Sequence, residues 1–243
     1  MSLIIRSSEG VVKFDTNDTL LRFRRKLTLR KVSTVVGFPE SRYAYFDTIN
    51  TYSKDTRVFY SLPLNSWCFS FWGTSGLSLG GYPVPSNTKL SVWLVVRGSN
   101  RPDTITVDVY DRFLGGSKPS NGFIFRNESG EVTLTSETPV VNITDSLAGT
   151  ISPPTPTDSP RDGPVVSRHV GTGKVFDMVT GPWRLDFYNY SNGYYDYMSR
   201  NGWMMYDGNN LNIRYIAEDV SYMTTSYEFE QDNFNIIVAK SFT

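Results

Sequence analysis

Residues 3–20 read LIIRSSEGVVKFDTNDTL, and residues 123–140 read FIFRNESGEVTLTSETPV. At an offset of 120, Ile4 meets Ile124, Arg6 meets Arg126, Gly10 meets Gly130 and Val12 meets Val132. Apolar positions coincide as well: Leu3 with Phe123, Ile5 with Phe125, Phe14 with Leu134 and Leu20 with Val140. Each copy reads as a β-hairpin, two short strand-forming runs around a polar turn that ends in Gly10 or Gly130. Self-similarity at a fixed period points to a repeated unit.

Three later segments recur in the same order. Trp67–Trp72 resembles Trp183–Tyr188, Leu90–Leu94 resembles Leu211–Tyr215, and Thr104–Asp111 resembles Thr225–Asp232. Alternating strands resemble one another in general, but four matches in one order at nearly constant offset predict a duplication. The 243 residues suit two domains of ordinary size. The expected domains are 1–118 and 119–243, joined in the Gly-rich stretch 115–122. The Pro-rich run Ile151–Pro160 then falls inside the second domain, as an extended excursion over 150–164 that reads as an interaction arm or a loop.

Aromatic residues make up 14% of the chain, and Thr and Val are abundant, which favours strands over helices. Runs alternate with period two: Ile105, Val107 and Val109 share one face, as do Leu90, Val92, Leu94 and Val96. Short strands broken by Gly, Pro and Asn predict an all-β fold, two tandem β-sandwiches related by the duplication. Expected core residues are Trp67, Phe69, Phe71, Val92, Leu94, Val107 and Val109. Their counterparts are Trp183, Leu185, Phe187, Ile213, Tyr215, Tyr227 and Phe229.

No catalytic residue, cofactor site or metal site is expected. With one His and one Cys, a conventional zinc site has too few soft ligands. His169 beside Arg168 reads as a solvated loop histidine rather than the base of a triad. Cys68, in a strand-like run between two aromatics, reads as a structural thiol. Gly171-Thr172-Gly173-Lys174 departs from a phosphate loop, since Arg168 stands where Gly is needed and Val175 follows the Lys. Asp207-Gly208-Asn209-Asn210 and Asp15-Thr16-Asn17-Asp18 read as turns rather than calcium loops. The N-terminus lacks the pattern of a secretory signal and no apolar run reaches about 20 residues, so the expectation is a soluble chain made in a cytoplasm, without membrane partners.

Two surface features remain. Arg22, Arg24, Arg25, Lys26, Arg30 and Lys31 form a basic run suited to an acidic partner surface. Residues 1–122 hold 16 Lys and Arg against 9 Asp and Glu, and residues 123–243 hold 8 against 15. Opposite halves in a neutral chain favour self-complementary contact over nucleic-acid binding. Either the halves pack on each other or neighbouring copies dock basic unit to acidic unit; the expectation is the second, a homo-oligomer, ring or fibre. The second feature is aromatic: Tyr190, Tyr194, Tyr195 and Tyr197, interleaved with Asn, Ser and Gly, lead to Trp203 and Tyr206. Such a mixture suits recognition of a protein or a glycan, or the covering of a core.

The opening Leu3-Ile4-Ile5-Arg6, then Gly10-Val11-Val12-Lys13-Phe14-Asp15-Thr16 and Asp18, followed by Leu21-Arg22-Phe23, resembles the N-terminus of small structural proteins encoded among the tail genes of tailed bacteriophages. The likeness covers about 20 residues closely and the remainder only in general character. It implies a β-sandwich start and a non-enzymatic virion protein. The place implied is a minor tail or tail-tip component, assembled in the bacterial cytoplasm with other tail proteins as partners. A receptor- or carbohydrate-binding module using the Tyr- and Trp-rich second half is the alternative, and a β-fold hydrolase with an unassigned acidic pair is a third.

Overall fold

The computed structural model describes residues 4–6, 12–15, 20–32, 42–50, 55–73, 89–112, 122–137, 139–152, 162–181, 183–223 and 229–241. They are all-β, with no helix among them. The first half supplies β1 (Ile4–Arg6), β2 (Val12–Asp15), β3 (Leu21–Val32), β4 (Arg42–Ile49), β5 (Arg57–Tyr60), β6 (Trp67–Gly73), β7 (Leu90–Arg97) and β8 (Thr104–Arg112). The second supplies β9 (Ile124–Arg126), β10 (Val132–Thr135), β11 (Ile143–Thr150), β12 (Val166–His169) and β13 (Lys174–Thr180). It continues with β14 (Trp183–Ser191), β15 (Tyr194–Tyr206), β16 (Asn210–Met223), β17 (Phe229–Gln231) and β18 (Asn233–Lys240).

The hairpins β1–β2 and β9–β10 share one register. Ile4, Ile5 and Arg6 pair with Asp15, Phe14 and Val12, and Ile124, Phe125 and Arg126 pair with Thr135, Leu134 and Val132. The register slips at the same step in both, skipping Lys13 in one and Thr133 in the other. A bulge inserts one unpaired residue at a defined place, so the two hairpins agree in detail as well as in sequence.

The other strands build one large curled sheet. The first half is a wall in the order β5-β8-β3-β4-β7-β6. The second half continues it at both ends. β13-β18-β11 extends beyond β5, and β15 joins β6 and carries β16 and β12 on one edge and β14 and β17 on the other. In chain order, β3, β4, β5, β6, β7 and β8 take the same places as β11, β12, β13, β15, β16 and β18. Ladders β5·β8, β3·β8, β4·β7 and β6·β7 recur as β13·β18, β11·β18, β12·β16 and β15·β16. The β3·β4 ladder, Arg30, Lys31 and Val32 against Phe46, Tyr45 and Ala44, has no counterpart between β11 and β12 among the described residues. At two seams between the halves, like strand joins like: Phe176 of β13 pairs with Tyr60 of β5, and Met204 and Met205 of β15 pair with Cys68 and Trp67 of β6; a third contact bridges Arg22 of β3 to Val140.

These seams are narrow, so the cohesion of the halves comes from packing. Strand side chains alternate between faces. From the first wall, Leu27, Leu29, Val58, Tyr60, Val92, Leu94, Val96, Ile105, Val107 and Val109 enter one buried cluster. Leu147, Phe176, Met178, Leu211, Ile213, Tyr215, Phe234, Ile236 and Val238 of the second half enter the same cluster. A fully buried Val, Leu, Ile or Phe is worth about 1.5–3 kcal/mol relative to exposure, so a core of this size outweighs the few backbone pairs at the seams. The sequence predicts a core in each half, whereas described residues of both halves enter one cluster. A single sheet wall must bury its apolar face against another layer, and the other half is that layer. The boundary at 118/119 lies within 113–121, outside the described residues, as do 153–161 of the Pro-rich run.

Two further expectations change. In β6, Cys68 enters the shared core, whereas Trp67 and Phe69 pack on the opposite face with Ala44, Trp93, Val95, Trp203 and Ile216. Both faces of β6 are covered, so alternation alone gives no phase. The sequence match of Trp183–Tyr188 to β6 falls on β14, yet the strand in the place of β6 is β15. Likewise Thr225–Asp232 overlaps β17, yet the strand in the place of β8 is β18.

Candidate interaction surface

Strand β3 alternates cleanly along its second half: Leu27 and Leu29 point into the core, and Lys26, Thr28 and Arg30 point outward and are exposed. Arg24 is also exposed, with Nη1 3.0 Å from Asp111 Oδ2 on the neighbouring β8. The register slips between Phe23 and Arg25, which breaks the alternation upstream. As a result Arg22 is fully buried, in register opposite Asp111, and Arg25 is half-buried. Lys31 is exposed, its Nζ 3.8 Å from the centroid of the Tyr43 ring, with the Arg101 guanidinium 4.4 Å from the same centroid. The six-residue basic run therefore presents Arg24, Lys26, Arg30 and Lys31 to solvent and withdraws Arg22.

Opposite charge also meets within the chain. Asp162 Oδ2 lies 3.1 Å from Arg214 Nη2 and 3.8 Å from Arg97 Nη1, tying a first-half arginine and a second-half arginine to one carboxylate. The Arg214 guanidinium lies over the Trp67 ring at 4.5 Å. At the other seam, Asp177 is fully buried beside Arg57, 3.9 Å away, and accepts a 3.1 Å hydrogen bond from Trp72 Nε1. Burial pushes the Asp177 carboxyl up to about 6, against the opposing pull of the Trp72 hydrogen bond and the Arg57 charge. Basic first half and acidic second half thus meet within the chain at these ion pairs.

The aromatic residues divide into two groups. Tyr190 pairs with Tyr195, and Phe187 with Tyr197, across the β14–β15 hairpin, whose turn at Asn192 and Gly193 has φ of 51° and 84°. Positive φ at both turn residues is the two-residue hairpin turn that Asn-Gly favours. The segment is therefore a long hairpin rather than a recognition loop. The side chains of Tyr190, Tyr194, Tyr195 and Tyr197 lie outside the described residues. Trp203 is fully buried, 6.0 Å from the Phe69 ring, and Tyr206 is 5% exposed. The Tyr206 hydroxyl lies 2.7 Å from Gly171 O and 2.8 Å from Gly208 O, donating to one at a time. These two rings hold the interior together and offer no contact surface.

Cys68 is fully buried with Sγ 3.4 Å from Ser66 O, and burial pushes its thiol up. His169 is exposed on the short strand β12, not in a loop, 3.3 Å from Asn210 Oδ1. Asp207 Oδ1 accepts the backbone amides of Asn209 and Asn210 at 2.9 and 2.7 Å, which pulls its carboxyl down to about 2. That is the self-bonded turn expected of Asp and Asn. No group of three metal-ligating side chains occurs among the described residues. The buried Asp177 and the paired seams, unlike the basic strip, left no mark in the sequence, because they depend on which strands become neighbours. No protein-family model, curated protein or solved structure matches the chain.

Proposed function

We propose that this chain is a non-enzymatic structural protein of a tailed-phage virion, a minor tail or tail-tip component that works through protein–protein contacts. In this reading an ancestral unit was duplicated, and each copy became one wall around a common core. The shared register and bulge of the two hairpins, and the recurrence of four ladders in chain order, support the duplication. The observation that carries the functional reading is the outward row Arg24, Lys26 and Arg30, with exposed Lys31 at its end, on a strand whose Leu27 and Leu29 enter the core. Such a row steers and orients an acidic protein surface. The N-terminal likeness to tail-gene structural proteins supplies the setting. Mass spectrometry of purified particles, from a host producing phage that encode this chain, tests it. The expected result is that the chain is found in particles, and that Lys26→Glu with Arg30→Glu keeps the fold but lowers incorporation. A chain absent from particles overturns the reading.

The receptor- or glycan-binding alternative keeps one favourable observation, the Tyr190–Tyr195 cross-strand pair beside the Asn-Gly turn. Glycan-array binding lost on Tyr194→Ala and Tyr195→Ala favours it, whereas Trp203→Ala acts through the fold.

A further inference from the structure

The first wall closes its two three-stranded parts through β3·β4. In the second half the corresponding parts, β13-β18-β11 and β12-β16-β15, stop short of each other, and β11 and β12 are edge strands among the described residues. Eight residues long, β11 is exposed at Ile143, Thr144, Asp145, Ser146, Ala148 and Thr150. It carries neither Lys nor Pro. Natural sheets blunt exposed edges with such residues, because a row of unpaired amides and carbonyls recruits another strand. The chain that links β11 to β12 has prolines at 153, 154, 156, 160 and 164. Proline has no amide to donate to a ladder.

We infer that β11 of one copy pairs antiparallel with β12 of a second copy, making between molecules the ladder that β3 and β4 make within one. This rests on the assembly reading above and names its partner. Two observations select a second copy as the occupant. The repeat itself shows that the two strand types pair, at the end where Arg30 faces Phe46. The edges are also complementary in charge, since β11 exposes Asp145 and β12 exposes Arg168 and His169. Pairing β11 with another β11 would bring Asp145 toward its like, which disfavours the symmetric alternative. Backbone hydrogen bonds give such a contact its affinity and the flanking side chains its register.

The test uses the full chain with one added cysteine at a time, Thr150→Cys in β11 or Ser167→Cys in β12, both at exposed positions. The two variants are mixed and oxidised. The inference expects a mixed disulfide dimer in about tenfold excess over the homodimers of either variant alone, because only facing strands bring Cβ atoms into disulfide reach. Homodimers of Thr150→Cys in equal amount, no cross-link at all, or an intrachain disulfide in the double variant at high dilution each overturn it. Should a cysteine variant fail to fold, sedimentation of the unaltered chain decides: mass rising with concentration supports the pairing, and a monomer throughout contradicts it. Particles that contain the chain, together with an absent cross-link, would sink this interface and leave the virion reading standing.

Discussion

The Trp72 indole donates to the Asp177 carboxylate, Nε1 to Oδ1 3.1 Å, joining β6 of the first half to β13 of the second at a site with no exposed carboxylate surface. Arg57 of β5 stands 3.9 Å from the other carboxylate oxygen. Three strands from both halves therefore converge on one acid, and its titration reports on how the halves are held.

Burial raises that acid from 3.8 to about 6, so the fold prefers its protonated form. The associated stability is fully present below 3.8 and is lost as pH rises through about 6. One pK unit corresponds to about 1.4 kcal/mol, so the ionised carboxylate costs on the order of 2–3 kcal/mol at neutral pH. Asp177→Asn keeps an acceptor for Trp72 and removes the charge. Its melting temperature is expected to exceed that of the parent at pH 7.5 and to match it near pH 4. Melts across that range check this, and a parent stability that climbs between pH 5 and 7.5, with no dependence on Asp177, would refute it.

Of the two roles open to Trp203, contact or core, burial against Phe69 fits the core. Trp203→Ala is expected to lower unfolding free energy by about 3–5 kcal/mol, the range for deleting a large buried aromatic. Urea unfolding measures this; a change under 1 kcal/mol would place the ring on the surface.

Cys68 is buried and its thiol is raised by burial. The thiolate is the reactive form. Native chain at pH 8 is expected to leave a thiol reagent almost unconsumed, and denatured chain to react with one equivalent. Rapid labelling of the native chain would contradict the inward phase of β6.

Gly149 faces Phe234 in the β11·β18 ladder, and a Cβ there would lie 2.8 Å from the ring. Gly149→Val forces the ring aside and is expected to destabilise by about 1–3 kcal/mol, as overpacking does. Equal melting temperatures for variant and parent would count against that packing.

Much of the fold is legible in the chain. Period-two runs locate β7 and β8, with Val92, Leu94, Val107 and Val109 inward as expected, and the 120-residue offset locates both hairpins. What escapes is neighbourhood. Leu94 and Ile213 each demand a buried face, and nothing local says they share the same one. The phase of β6 escaped because apolar residues cover both of its faces. At the candidate surface, Lys26 and Arg30 were legible as alternating polar positions. Arg22 was not, because a slip in register after Phe23 reverses its face. Asp177 was invisible for the same reason as the seams, since its partners lie 105 and 120 positions away in sequence.

The central claim is that two walls share one core. Equilibrium urea unfolding, followed by both tryptophan fluorescence and far-ultraviolet circular dichroism, tests it most directly in the parent, Val107→Ala and Ile236→Ala chains. The account predicts a single coincident transition in each, with its midpoint lowered by either substitution. Two separable transitions, one moved only by Val107→Ala and the other only by Ile236→Ala, would show two independent cores and contradict it.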